Sequence, residues 1–156
     1  MDPTPVLIGG LTGTAVMTTV MVVGRILGET RFDVPLLLGG LLTGDARRAR
    51  ALGMLLHLLM GGVVLAIAYD AILRAVGVHP LGGATVLGLV HGVMVCFLLP
   101  VIGRLHPRVA PGGKPDGLPM TPPGIGGMQL GDGTAAGIVI AHTLYGMAYG
   151  AFHAAF

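Results

Sequence analysis

The chain has 156 residues, of which 53% are hydrophobic and only 10% are charged, and its formal net charge is +2. Soluble domains carry about a quarter charged residues, so this composition excludes an ordinary soluble protein and indicates an integral membrane protein. The net charge comes from few groups and gives no indication of a nucleic-acid partner. The single cysteine, Cys96, excludes a disulfide within the chain.

The hydropathy pattern predicts four transmembrane helices in one domain, because a span needs about 20 mostly apolar residues. We expect them at residues 6–28, 50–73, 82–103 and 134–156. The first apolar run begins by Pro5 without a basic leader, so it predicts a retained span and not a cleaved signal sequence. The 28 glycines suit close helix contacts in lipid. The predicted fold class is an all-α four-helix membrane bundle.

The connections between the spans differ in character. Residues 35–42 of the first connection are apolar but too short to span, so we expect them at the membrane interface or against the helices. Asp70 and Arg74, four residues apart at the end of helix two, predict a surface ion pair. Residues 105–133 are dense in proline and glycine, and they predict a long extended loop that covers a site or contacts a partner subunit.

Lysine and arginine concentrate around the first and third connections, whereas the opposite side holds Arg74 alone. The basic residues of those two connections are Arg25, Arg31, Arg47, Arg48, Arg50, Arg104, Arg108 and Lys114. The positive-inside rule therefore predicts that both long loops are cytoplasmic and that both termini lie outside.

Three histidines, His57, His91 and His142, lie inside the predicted spans. An imidazole in hydrocarbon is costly unless it is paired, ligated or facing the protein interior. At a rise of ~1.5 Å per residue, His57 and His142 lie at matching depth from the cytoplasmic side, and His91 lies about one or two turns deeper. The sequence therefore predicts an intramembrane site lined by these three histidines.

Two chemistries suit such a site. Haem b takes two axial imidazoles from facing helices at matched height, which fits His57 and His142. A bare metal site would use all three histidines together with soft thioether ligands, for which the candidates are Met17, Met21, Met54 and Met94. Imidazole with thioether favours copper, whereas imidazoles alone suit zinc or iron. The absence of mid-membrane Asp or Glu argues against a carboxylate-bridged di-iron site.

A structural interpretation stands beside these chemistries. The three intramembrane histidines would then only form hydrogen bonds between helices, and the methionines would only fill the core. His79, His106 and His153 lie near helix ends or in loops, so we expect each of them at the surface.

Four stretches resemble a known family: TGTAVMTTVM in helix one, RFDVPLLLGGLLTG after it, the helix-two histidine followed by Gly61, and HTLYG in helix four. Together they are similar to a family of bacterial four-helix inner-membrane proteins built on a domain of unknown function. The resemblance covers most of the chain in order, apart from the proline-rich loop. It implies an architecture and a multi-pass location in the bacterial inner membrane, but no activity.

The leading functional expectation is a protein that binds haem b or a transition metal for electron transfer or metal handling. No catalytic residues stand out, so the sequence leaves enzymatic activity open. The second expectation is a non-catalytic accessory subunit of a larger respiratory or light-harvesting complex. A small transporter ranks third, because four helices leave little room without homo-oligomerisation. The expected partners are the lipid bilayer and other membrane subunits or a second copy of the chain.

Overall fold

The computed structural model describes residues 3–109, 118 and 120–155. Over these residues the chain is all helical, without β-strands. Four of the described helices are long and apolar enough to cross a membrane. The chain is therefore a multi-pass membrane protein, as the sequence predicts. The helices are α1 (Thr4–Ile26), α2 (Val34–Gly40), α3 (Ala46–Val76), α4 (Pro80–Leu105) and α5 (Thr134–Ala155), with a short 3₁₀ segment at Ile125–Leu130.

The long helices lie at the four predicted spans, and their ends differ by a few residues. The largest shift is at the start of α3, where the Asp45 side chain accepts a hydrogen bond from the Arg48 backbone N–H at 2.7 Å and caps the helix. Gly77, at φ +70°, ends α3 in the left-handed conformation that glycine adopts freely. The predicted end at Phe156 lies outside the described residues. So does part of the predicted proline-rich loop, residues 110–117 and 119.

The short apolar stretch of the first connection forms α2, which packs against the first half of α3. Asp33 caps α2 by accepting a hydrogen bond from the Leu36 backbone N–H at 3.0 Å. A methyl group added to Gly39 would overlap the Ala49 backbone, so glycine is required for this close approach. Of the two predicted positions for this stretch, the one against the helices is confirmed.

Helix α5 packs along both α1 and α4, and these are the most extensive contacts between the spans. Small residues make the approach possible. A methyl group added to Gly146 would overlap the Ala84 carbonyl of α4, and one added to Gly13 of α1 would lie 2.8 Å from the Tyr145 ring. This close packing fixes the heights at which side chains of α4 and α5 meet.

Helix α3 contains a π-helical segment at Met60–Leu65, one turn beyond His57. Such segments insert an extra residue into an α-helix and are common at functional sites. The Gly61 carbonyl in this segment accepts a hydrogen bond from the buried Tyr145 hydroxyl at 2.7 Å. The segment therefore bonds α3 to α5.

The prediction that His106 is exposed is wrong. The residue is 1% exposed and follows directly after α4. Its Nε2–H donates to the Leu37 carbonyl at 2.9 Å, and its Nδ1 accepts from the Arg108 backbone N–H at 3.2 Å. The Arg108 guanidinium also donates to the Gly40 carbonyl. His106 thus joins the end of α4 to α2. Its position at a helix end suggested exposure, but packing against Leu37, which is distant in the sequence, buries it.

Candidate functional site

His91 on α4 and His142 on α5 meet between the two helices. Their ring centroids are 4.8 Å apart, with an interplanar angle of 71°, so one ring presents its edge to the other. The approach depends on two glycines of α4. A methyl group at Gly88 would overlap the His142 carbonyl, and one at Gly92 would lie 3.1 Å from the His142 Cβ. The sequence places His91 deeper than His142, but the structure makes them direct neighbours.

Each of these rings is held through Nδ1. The His142 Nδ1 lies 2.8 Å from the Ile138 carbonyl, and because a carbonyl only accepts, this nitrogen carries the hydrogen. The His91 Nδ1 lies 3.3 Å from the hydroxyl of Tyr69, a buried residue of α3. Among the described residues, neither ring forms a hydrogen bond through Nε2. Both rings are therefore oriented through one nitrogen, and the other forms no hydrogen bond to the described residues.

His57 on α3 is buried and faces α1. Its Nε2 lies 3.1 Å from the Thr18 hydroxyl oxygen, and that hydroxyl donates its own hydrogen to the Thr14 carbonyl at 2.7 Å. The His57 Nε2–H must therefore donate to Thr18, which leaves the lone pair on Nδ1. His57 is thus oriented through the opposite nitrogen from the pair, and it bonds to α1.

The four methionines proposed from the sequence lie in different surroundings. Met17 is buried and packs with the tyrosines of the core. Met21 and Met54 line a cavity between α1 and α3 that His57 also lines. Met94 is 49% exposed on α4. Met94 therefore lies on the outer surface of the protein.

The sequence interpretation missed Tyr69, which contributes both to the core and to the site. Tyr69 packs edge to face on both other tyrosines of the chain, with ring centroids 5.4 Å from Tyr145 and 5.7 Å from Tyr149. The cluster fixes the Tyr69 ring so that its hydroxyl reaches His91. The only sequence signal was that all three tyrosines lie in apolar spans, and the contact with His91 depends on how α3 and α4 pack.

The predicted ion pair at the end of α3 is present. The Arg74 Nε lies 2.8 Å from both oxygens of the Asp70 carboxylate, one of which is also 3.5 Å from the Nε2 of His153. His153 is half-buried and not fully at the surface, because its ring stacks on Tyr149 with 5.7 Å between centroids. This cluster lies at the opposite end of α5 from Thr134, apart from the His91 and His142 pair.

The distance between the paired rings bears on which ligand they could share. Two imidazoles bound to one ion at a tetrahedral angle have ring centroids about 5 Å apart, given metal–nitrogen bonds of about 2 Å. Imidazoles on opposite faces of a haem iron have centroids about 6 Å apart by the same bond length. The observed 4.8 Å is closer to the first arrangement. In the described part of the chain, however, no group of three or more His, Cys, Asp or Glu could hold a metal ion.

No family model matches the chain, and neither curated proteins nor solved structures give a match. The family resemblance drawn from the sequence therefore stays a prediction.

Proposed function

We propose that the protein binds a transition-metal ion within the membrane through His91 and His142, for electron transfer or metal handling. The observation that carries the proposal is that both rings have Nδ1 anchored on an oxygen atom, at 3.3 Å and 2.8 Å, while Nε2 forms no hydrogen bond to the described residues. Metal-binding histidines are usually oriented in this way by a hydrogen bond from the second ring nitrogen.

A bare ion fits these residues better than haem b. Gly88 and Gly92 bring α4 into contact with α5 beside His142, so a flat macrocycle has no space between the two rings. His57, the other predicted axial ligand, uses Nε2 to bind Thr18. Two or three imidazoles suit zinc, iron or copper, and a bound iron or copper ion would supply one-electron chemistry.

The pair supplies two ligands, and no third His, Cys, Asp or Glu of the described residues completes a metal-binding group with it. In this proposal Tyr69 and the Ile138 carbonyl orient the ligands, and the close contact between α4 and α5 excludes water from them.

We further propose that the four long helices form one bundle in a bacterial inner membrane, with both long loops cytoplasmic. The support is the distribution of basic residues, of which Arg74 alone belongs to the opposite side. The extensive contacts of α5 with both α1 and α4 support a bundle.

The test is elemental analysis together with a visible spectrum of the purified full-length protein. We expect stoichiometric metal without a Soret band in the wild type, and loss of that metal in His142→Ala. His79→Ala is the matched control, because His79 is exposed at the start of α4 and should retain the metal. A Soret band would show that the bound group is haem and not a bare ion. A purified protein with neither metal nor chromophore would overturn both forms of the proposal.

A further inference from the structure

A cavity of about 160 Å³ lies between α1 and the first half of α3, on the side of the membrane where α2 connects them. Most of the residues that line it are apolar, and one of these residues, Val22, is 44% exposed on the outer surface of α1. The apolar wall residues are Met21, Val22, Phe32, Val34, Pro35 and Met54. The cavity therefore offers an apolar slot that opens toward the lipid.

Two arginines and one carboxylate also line this cavity. Asp33 lies 3.0 Å from the Arg25 Nη1 and 3.0 Å from the Arg50 Nε. The Asp33 side chain is only 7% exposed, whereas the arginine side chains are 38% and 53% exposed. One buried carboxylate cannot neutralise two partly exposed guanidinium groups. The cluster therefore presents a net positive charge and free N–H donors to the surroundings.

A second, shallower groove continues from the first and shares Val22 and Arg25 with it. It adds Arg31, whose guanidinium donates to the Gln129 carbonyl at 3.0 Å. Arg25 thus lies where two grooves meet, with an arginine on either side.

This charge distribution decides what the cavity accepts. A free metal cation approaching His57 by this route would be repelled by the arginines, so the cavity is a poor metal entrance. An anion is attracted, and guanidinium groups bind phosphate well. Below the arginines the walls suit an acyl chain, and basic pockets between transmembrane helices bind anionic lipid headgroups.

We propose that this cavity binds one anionic phospholipid of the bilayer, with its phosphate on Arg25 and Arg50 and an acyl chain against Met54. The site is independent of the proposed metal site, because it uses charged residues at the ends of α1 and α3 and not the histidine pair.

The experiment is native mass spectrometry of the full-length protein in detergent, titrated with phosphatidylglycerol or with phosphatidylcholine of the same acyl chains. We expect phosphatidylglycerol to bind more tightly. Arg50→Gln, which leaves Asp33 paired with Arg25, should weaken that binding about fivefold, the effect of one basic residue near anionic lipid. Arg47→Gln is the matched control, because Arg47 is exposed in the first turn of α3 and does not line the cavity.

A second variant tests the apolar slot without changing charge and remains informative if Arg50→Gln fails to fold. Met54→Phe fills the slot and should weaken binding of phosphatidylglycerol. Equal loss in Arg50→Gln and Arg47→Gln would overturn the proposal, because binding would then follow only the general surface charge. Unchanged binding in Met54→Phe would also overturn it, as would displacement of the lipid by inorganic phosphate. The metal content of Arg50→Gln should equal that of the wild type, which separates this proposal from the metal site.

Discussion

Two regions of the molecule hold imidazole rings in different ways: the His106 ring is buried, whereas the His91 and His142 rings are half-buried. The interfacial joint, formed by His106 with Leu37, Gly40 and Arg108, uses both nitrogens of its ring in hydrogen bonds to protein. The histidine pair, His91 and His142, anchors only one nitrogen of each ring. The two regions therefore differ in how many ring nitrogens bond to the described residues.

The difference has an energetic meaning. A buried polar group without a partner costs about 1–3 kcal/mol, and the cost is no smaller in hydrocarbon. The joint avoids this cost within the protein. The two Nε2 atoms of the pair form no hydrogen bond to the described residues, but both rings are only half-buried, so this cost does not apply to them in full.

The largest expected effect on stability comes from breaking the joint. His106→Ala removes two hydrogen bonds and leaves a cavity, so we expect a loss of about 2–4 kcal/mol in the free energy of unfolding. Chemical denaturation in detergent measures it, and the metal content should not change. His79→Ala, at an exposed position, should stay within about 0.5 kcal/mol of the wild type. An equally small effect for His106→Ala would show that the joint is not structural.

The next effect concerns the orientation of the pair. Tyr69→Phe removes the hydroxyl that anchors the His91 Nδ1 and keeps the ring in the tyrosine cluster. We expect metal affinity to fall about tenfold to a hundredfold, as for other partners of metal-binding histidines. Competition with a chelator measures the affinity.

The matched control for this prediction is Tyr145→Phe. It makes the same chemical change, but the Tyr145 hydroxyl donates to the Gly61 carbonyl and not to a histidine. Equal metal affinities in Tyr69→Phe and Tyr145→Phe would contradict an orienting role for Tyr69.

The smallest effect concerns His57, which is buried like His106 but bonds to protein through only one ring nitrogen, as His91 and His142 do. Thr18→Val removes the acceptor of the His57 Nε2–H and should cost at most about 1 kcal/mol, as for other hydrogen bonds between membrane helices. Thr19→Val is the control, because Thr19 is exposed and bonds only to the Ala15 carbonyl of its own helix. If Thr18→Val lowered the free energy of unfolding by more than His106→Ala does, His57 would be a structural histidine like His106.

The sequence was enough to predict the four spans, because hydropathy and length determine which segments cross a membrane. It also identified His91 and His142 as intramembrane residues. It did not show that they touch, because a depth count says nothing of the contact that Gly88 and Gly92 allow between α4 and α5.

Other features depend on partners that no local pattern reveals. His106 is buried by the carbonyl of Leu37, which lies 69 residues away in the sequence. The π-helical segment Met60–Leu65 carries no signature in its apolar residues. Both arise from tertiary packing, which overrides the local preference of the chain.

The most direct test of the proposed metal site is X-ray absorption spectroscopy at the edge of the metal bound to the full-length protein. We expect imidazole scattering from at least two nitrogen ligands in the wild type, and from one fewer in His91→Ala if that variant retains metal. A spectrum without imidazole scattering, or one that His91→Ala leaves unchanged, would contradict a site built on His91 and His142.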